Sequence, residues 1–202
     1  CKADHTNRTT MCTGLLSANF AKLVSCSSAV GGMNDVLYYF NAIETASLTP
    51  GSALGELTDI TMVATKVPFT IEVEKDSFIP KQVYDPATKT FKQTADIKLA
   101  NDTTAERNRV QELVGAKGFI VGRTKNNKWI VIGVDYRGNK TTPASSTATI
   151  VGLTMEAMNG SWGPEDFGNA ITLSATGVSE MLPYLLDTDY DTTATLLADL
   201  LP

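Results

Sequence analysis

The chain has 202 residues, of which 43% are hydrophobic and 19% charged, and a formal net charge of −5. This is the balance of a folded globular protein, not a disordered or fibrous one, and the length suffices for one good-sized domain burying roughly 70% of its unfolded surface. The acidic excess argues against a sequence-reading nucleic-acid binder, which needs a basic patch against phosphates, and no apolar run approaches the ~20 residues with which a helix crosses a bilayer.

The N-terminus reads CKADHTNRTTM, without a signal-peptide pattern. The three cysteines are Cys1, Cys12 and Cys26, and His5 is the sole histidine. An odd cysteine count without a CxxC pair is no disulfide framework; it suggests a reducing compartment or one optional bridge. Cys1, His5, Cys12 and Cys26 are zinc-ligand types, but their spacing matches no recurring zinc motif, so free or buried thiols are expected. A first-residue cysteine is also compatible with a lipid-anchored N-terminus. A nucleophilic pair with histidine would have to recruit His5, and none is expected. Residues 1–30 read as an irregular arm that ends at the Gly31-Gly32 turn.

Residues 31–186 then read as one domain, without repeat or internal linker. DVLYYFNAIE, rich in β-branched and aromatic residues, predicts a strand. TASLTPGSALGE predicts a loop over 45–56, with Pro50-Gly51 as its turn. LTDITMVAT and PFTIEVEKD predict strands; in the second, Phe69, Ile71 and Val73 alternate with Thr70, Glu72 and Glu74, as in a sheet with one wet face. Asp85-Pro86 predicts a turn before the strand TFKQTADIKLA, in which Phe91 and Ile97 are expected on opposite faces, with a bulge or a two-sided environment.

NDTTAERNRVQELVGAKG is the clearest helix, with Thr103 and Glu106 as a capping box, Val110, Leu113 and Val114 as its apolar face, and Gly115 or Gly118 at its end. GFIVGRT and WIVIGVD flank the polar KNNK and predict a hairpin turning at Asn126-Asn127. YRGNKTTPASSTA predicts a loop, and TIVGLTMEAM with AITLSAT a further strand pair. Residues 187–202 read as a C-terminal arm whose short helix, starting near Asp191, carries Leu196, Leu197, Leu200 and Leu201 on one side.

Two acidic groups invite a chemical reading. Asp187, Asp189 and Asp191 alternate like the start of a calcium loop, but no glycine follows at the sixth position and Ala198 stands where the bidentate glutamate belongs. A solvated loop that caps the last helix is expected instead. Glu165 and Asp166 lie between Trp162 and Phe167. Adjacent carboxylates on extended chain point apart, whereas a glycosidase pair faces itself across ~5–9 Å. The expectation is a turn at Gly163-Pro164, with Trp162 and Phe167 as anchors and the carboxylates on a strand edge. No catalytic, cofactor-binding or metal residue is nominated.

The order of these features resembles the tail tube, or major tail, proteins of bacteriophages, especially those of Bacteroidetes phages and prophages. The likeness runs from about Met11 to Tyr184. It rests on Cys12 and Cys26 framing the lead-in to GGMNDVLYYFNAIE, on the strand, helix and hairpin of ADIKLANDTTAERNRVQELVGAKGFIVGRTKNNKWIVIGVD, and on EDFGNAITLSATGVSEMLPYLL. The resemblance implies a mainly β fold, a β-sandwich or small barrel with one flanking helix. It implies a non-enzymatic virion protein, without cofactor, whose hexameric rings stack into the conduit for genome delivery. The inner wall would be built by strands joined edge to edge between subunits, with loop 45–56 and both arms bridging neighbours. Partners would be further copies, and tape measure, tail terminator, baseplate and sheath proteins. DNA would pass non-specifically and the subunit would not insert into a membrane. Cys1 and the all-β pattern leave a second reading, a cell-surface fimbrial subunit or binding lipoprotein, and Glu165 or Asp166 a third, a hydrolase.

Overall fold

The computed structural model describes residues 35–74, 77–99, 104–124, 128–139, 145–162, 167–186 and 189–201. In chain order the strands are β1 (Asp35–Asn41), β2 (Thr45–Pro50), β3 (Glu56–Met62), β4 (Phe69–Val73), β5 (Ile79–Asp85) and β6 (Thr90–Leu99), with a 3-10 turn at Ala42–Glu44 after β1. Helix α1 (Thr104–Gly115) leads to β7 (Gly118–Arg123), β8 (Trp129–Ile132), β9 (Val134–Arg137), β10 (Thr147–Ile150), β11 (Thr154–Trp162), β12 (Phe167–Val178) and β13 (Tyr184–Leu185), and helix α2 (Tyr190–Asp199) follows. The fold is mainly β, as the strand periodicity predicts, and a sandwich with flanking helices, as the resemblance implies.

A seven-stranded sheet runs in the order β2-β3-β13-β8-β7-β1-β4, a four-stranded sheet in the order β11-β12-β6-β5, and β9 and β10 form a two-stranded sheet. The seven-stranded sheet is covered on both faces, so its central strands are apolar at successive positions. Leu37, Tyr39, Ile120 and Ile132 point to one core, shared with Ala95, Ile97, Ile171 and Leu173 of the four-stranded sheet and with Val110 and Leu113 of α1. Phe40, Phe119, Val121 and Val131 point to the other core, which β9 enters through Val134 and α2 through Leu197. There the Phe40 and Phe119 rings stack at 4.8 Å between centroids.

Two glycines decide local geometry. Gly118 pairs with Asn41 in the β1–β7 ladder, and a Cβ there would lie 2.2 Å from the Phe40 carbonyl oxygen. Gly133, at φ +101°, separates β8 from β9 and turns the chain out of the seven-stranded sheet.

Several expectations are corrected. Residues 45–56 are not one loop: residues 45–50 form β2, held by β3, and only 51–55 turn. Strand β5 has no counterpart in the sequence reading, because Pro80 and the exposed Val83 and Tyr84 break the pattern expected of a buried strand. Phe91 and Ile97, six residues apart, face the same way along with the buried Gln93 and Ala95. The bulge lies on the neighbouring strand, between Ala175 and Val178, where Gly177 has φ +75°. Val114 is 57% exposed, so α1 packs through Val110 and Leu113. TIVGLTMEAM is divided at Gly152, φ +87°, between β10 and β11, which belong to different sheets. Within the predicted loop that follows Asp135, Tyr136 and Arg137 belong to β9. The Thr103 capping position, Asn126-Asn127 and Gly163-Pro164 lie outside the described residues.

Candidate functional site

Cys1, His5, Cys12, Cys26, Glu165, Asp166 and Asp187 lie outside the described residues. Trp162 and Phe167 end β11 and begin β12 and are paired across that ladder, which extends the expected strand pair. Asp189 is the N-cap of α2: its carboxylate accepts from Thr192 N at 2.8 Å, and Thr192 Oγ1 accepts from Asp189 N at 2.9 Å. The helix therefore starts one residue before Asp191, and Asp189 of the acidic run caps it. Among the described residues, no three His, Cys, Asp or Glu side chains are grouped to hold a metal ion.

The buried polar groups have structural work to do. Gln93, fully buried, donates from Nε2 to Val134 O at 3.2 Å and accepts Gly133 N–H on Oε1 at 2.9 Å. It satisfies the backbone where β8 gives way to β9. Asp135 accepts from Ser179 N at 2.7 Å and from Arg137 Nε at 3.0 Å, which ties β9 to the chain after β12. Glu44 accepts from Asn41 Nδ2 at 2.7 Å and from Lys66 Nζ at 2.8 Å. Burial opposes ionisation of Glu44, but these hydrogen bonds and the Lys66 charge outweigh it and hold the carboxyl below its ordinary range. Burial pushes the Tyr39 hydroxyl well above the usual phenol range.

The four-stranded sheet turns one face to the core and the other away from it. Residues paired across an antiparallel ladder share a face, so the register separates its two sides. Ala95, Ile97, Ile171 and Leu173 face the core, whereas Ile79, Asp96 and Thr172 form one outward row, with Lys81 beside Thr94 and Val83 beside Lys92 in the rows that follow. Ionic bonds cross this outward face. Lys81 Nζ reaches Asp96 at 2.6 Å, Thr172 Oγ1 donates to the same carboxylate at 2.7 Å, and Lys92 bonds Glu156 of β11. The face therefore carries paired opposite charges beside the exposed Ile79 and Val83.

Among the described residues, the outer strands of this sheet are β5 and β11, each paired on one side. Strand β5 keeps an unbroken seven-residue register with β6, yet Ile79, Val83 and Tyr84 are 47%, 62% and 51% exposed. Strand β11 is exposed from Glu156 to Gly160. Such edges present unpaired backbone donors and acceptors beside apolar side chains. Sequence reading placed β11 but missed β5, and nothing in the sequence identifies an edge, because an edge is a relation between strands. No family model, curated protein or solved structure matches this chain.

Proposed function

We propose that the chain is a non-enzymatic virion subunit that polymerises into stacked rings, building the tail tube through which a phage genome is delivered. The single observation that carries this reading is the four-stranded sheet with two different edges, β5 and β11, unpaired among the described residues, and an outer face on which lysines are paired with carboxylates. Pairing β5 of one copy with β11 of the next is a head-to-tail contact, which closes into a ring when the rotation permits. Six copies of a four-stranded sheet make one barrel of roughly 24 strands, wider than the 16–18 strands that already enclose an aqueous channel.

In that ring the outward face of the sheet lines the lumen. Lys81, Lys92 and Lys98 are each engaged by Asp96, Glu156 or Glu74. A lumen of paired charges leaves few free cations to hold phosphates, so DNA slides instead of sticking. The seven-stranded sheet and α2 form the outer layer. The bridging role expected of loop 45–56 falls to the turn 51–55, which exposes Leu54. Tape measure, terminator, baseplate and sheath proteins are the partners of such a tube.

The test is assembly of the full chain, followed by electron microscopy at increasing concentration. Rings or tubes with a central channel are expected. A chain that stays monomeric at millimolar concentration overturns the reading.

A further inference from the structure

Asn41, Glu44 and Lys66 form a chain of contacts that an ordinary ion pair does not require. Asn41 ends β1 and is 1% exposed; Glu44 closes the 3-10 turn that follows and is 9% exposed. One carboxylate holds both partners: Oε2 accepts the Asn41 side-chain amide at 2.7 Å, and Oε1 accepts the Lys66 amine at 2.8 Å. The backbone fixes each member. Thr45 Oγ1 donates to Asn41 O at 3.1 Å, Val63 N to Glu44 O at 2.9 Å, and Lys66 N to Val63 O at 2.9 Å.

The turn that delivers Lys66 is itself strained. Thr65 has φ +68°, a left-handed conformation that a β-branched residue rarely adopts. Strain of this kind persists only where the surroundings enforce it, and it gathers at sites that need a set geometry. Here it precedes the one lysine bonded to a mostly buried carboxylate among the described ion pairs.

We propose that Lys66 and Asn41 become joined by an intramolecular isopeptide bond, with Glu44 as the proton shuttle. The half-exposed Lys66 ammonium gives one proton to water, and the free amine attacks Cγ of Asn41. A C–N bond forms between Lys66 Nζ and Asn41 Cγ as the charged Glu44 carboxylate accepts a proton from the attacking nitrogen. The Cγ–Nδ2 bond breaks, Glu44 passes that proton to the departing nitrogen, and ammonia leaves. The balance is one amine and one primary amide giving one secondary amide and ammonia, with no oxidant or cofactor. The carboxylate already touches the nucleophile and the leaving nitrogen, as a general acid–base that serves both must. Holding the reactants within one fold replaces a bimolecular encounter by a local one, which is where most of the acceleration arises. The bond staples the end of β1 to the turn after β3, on any reading of the protein's role.

Intact-mass spectrometry of the purified full chain tests this directly. The expected mass is about 17 Da below that of the sequence, the loss of one ammonia from the amide. Trypsin is expected to skip Lys66 and to release a branched peptide joining it to Asn41. Lys66→Arg keeps the positive charge but cannot form the bond, and Glu44→Gln removes the shuttle; both are expected at full mass while circular dichroism reports the native fold. A wild-type chain that keeps its full mass through days at neutral pH overturns the proposal. So does a loss that persists in Lys66→Arg, since it then arises at another residue.

Discussion

Gln93 and Gly133 lie 40 residues apart in sequence, and the Gln93 side-chain oxygen accepts the Gly133 backbone N–H at 2.9 Å. The same amide donates to Val134 O at 3.2 Å, so one side chain of the four-stranded sheet serves both backbone groups exposed where the chain leaves the seven-stranded sheet. The contact joins the two sheets inside the core, where water cannot substitute for it.

Gln93→Leu keeps the approximate volume but leaves the Gly133 donor and the Val134 acceptor buried without this partner. A cost of about 3 kcal/mol is expected from two such groups, with a fall in Tm of roughly 6–12 °C for a chain of this size. Urea titration and calorimetry measure it; a loss below about 1 kcal/mol shows that the backbone finds other partners.

Gly118→Ala places a methyl 2.2 Å from the Phe40 carbonyl oxygen and 2.6 Å from the Tyr39 ring. The first obstacle is backbone in a central ladder and cannot swing away, so a loss at the upper end of the 1–3 kcal/mol typical of overpacking is expected. Gly115→Ala, where a Cβ meets nothing within 4 Å, is the matched control and is expected to be near neutral or slightly stabilising. Equal midpoints for the two variants would contradict the close approach.

Stability is expected to fall in acid. For Asp96, burial opposes ionisation, but the hydrogen bonds from Lys81 and Thr172 and the Lys81 charge outweigh it, so the carboxyl is held below its ordinary 3.8. For Asp189, backbone and side-chain hydrogen bonds from Thr192 lower the value in the same direction. A group lowered in the folded state contributes fully above its unfolded value and loses that contribution as pH falls through the folded one. Urea midpoints are therefore expected to drop below about pH 4, and an Asp96→Asn/Asp189→Asn double variant to show a flatter slope there. An unchanged slope would assign acid sensitivity to other carboxylates.

Val83→Lys on β5 separates folding from assembly. Val83 is 62% exposed and the new lysine stands opposite Lys92, so a loss of no more than about 1 kcal/mol is expected. A lysine on an open edge opposes strand addition, and rings or tubes should disappear in electron micrographs. Wild-type assembly by this variant would remove β5 from the contact.

Much of the architecture was legible because it follows from periodicity. Phe69, Ile71 and Val73 alternate in sequence and point inward in β4, and the apolar run of β7 fits a strand buried on both faces. The α2 cap was legible because the exchange between Asp189 and Thr192 is local. Strand β5 was not, since Pro80 and its exposed apolar residues look like a loop until β6 pairs with them. The Asn41–Glu44–Lys66 cluster was equally hidden: Lys66 joins it across 22 residues through a strained turn that no local propensity favours.

The sequence by itself determined the fold class, most strands and both helices, because side-chain alternation, helical spacing and capping act over a few neighbouring residues. Only the tertiary structure decided which strands became edges, which face of the four-stranded sheet turned outward, and that Gln93 would serve Gly133. Those relations depend on registers between segments far apart in the chain, where a shift of one residue would exchange the inner and outer faces without altering any local preference.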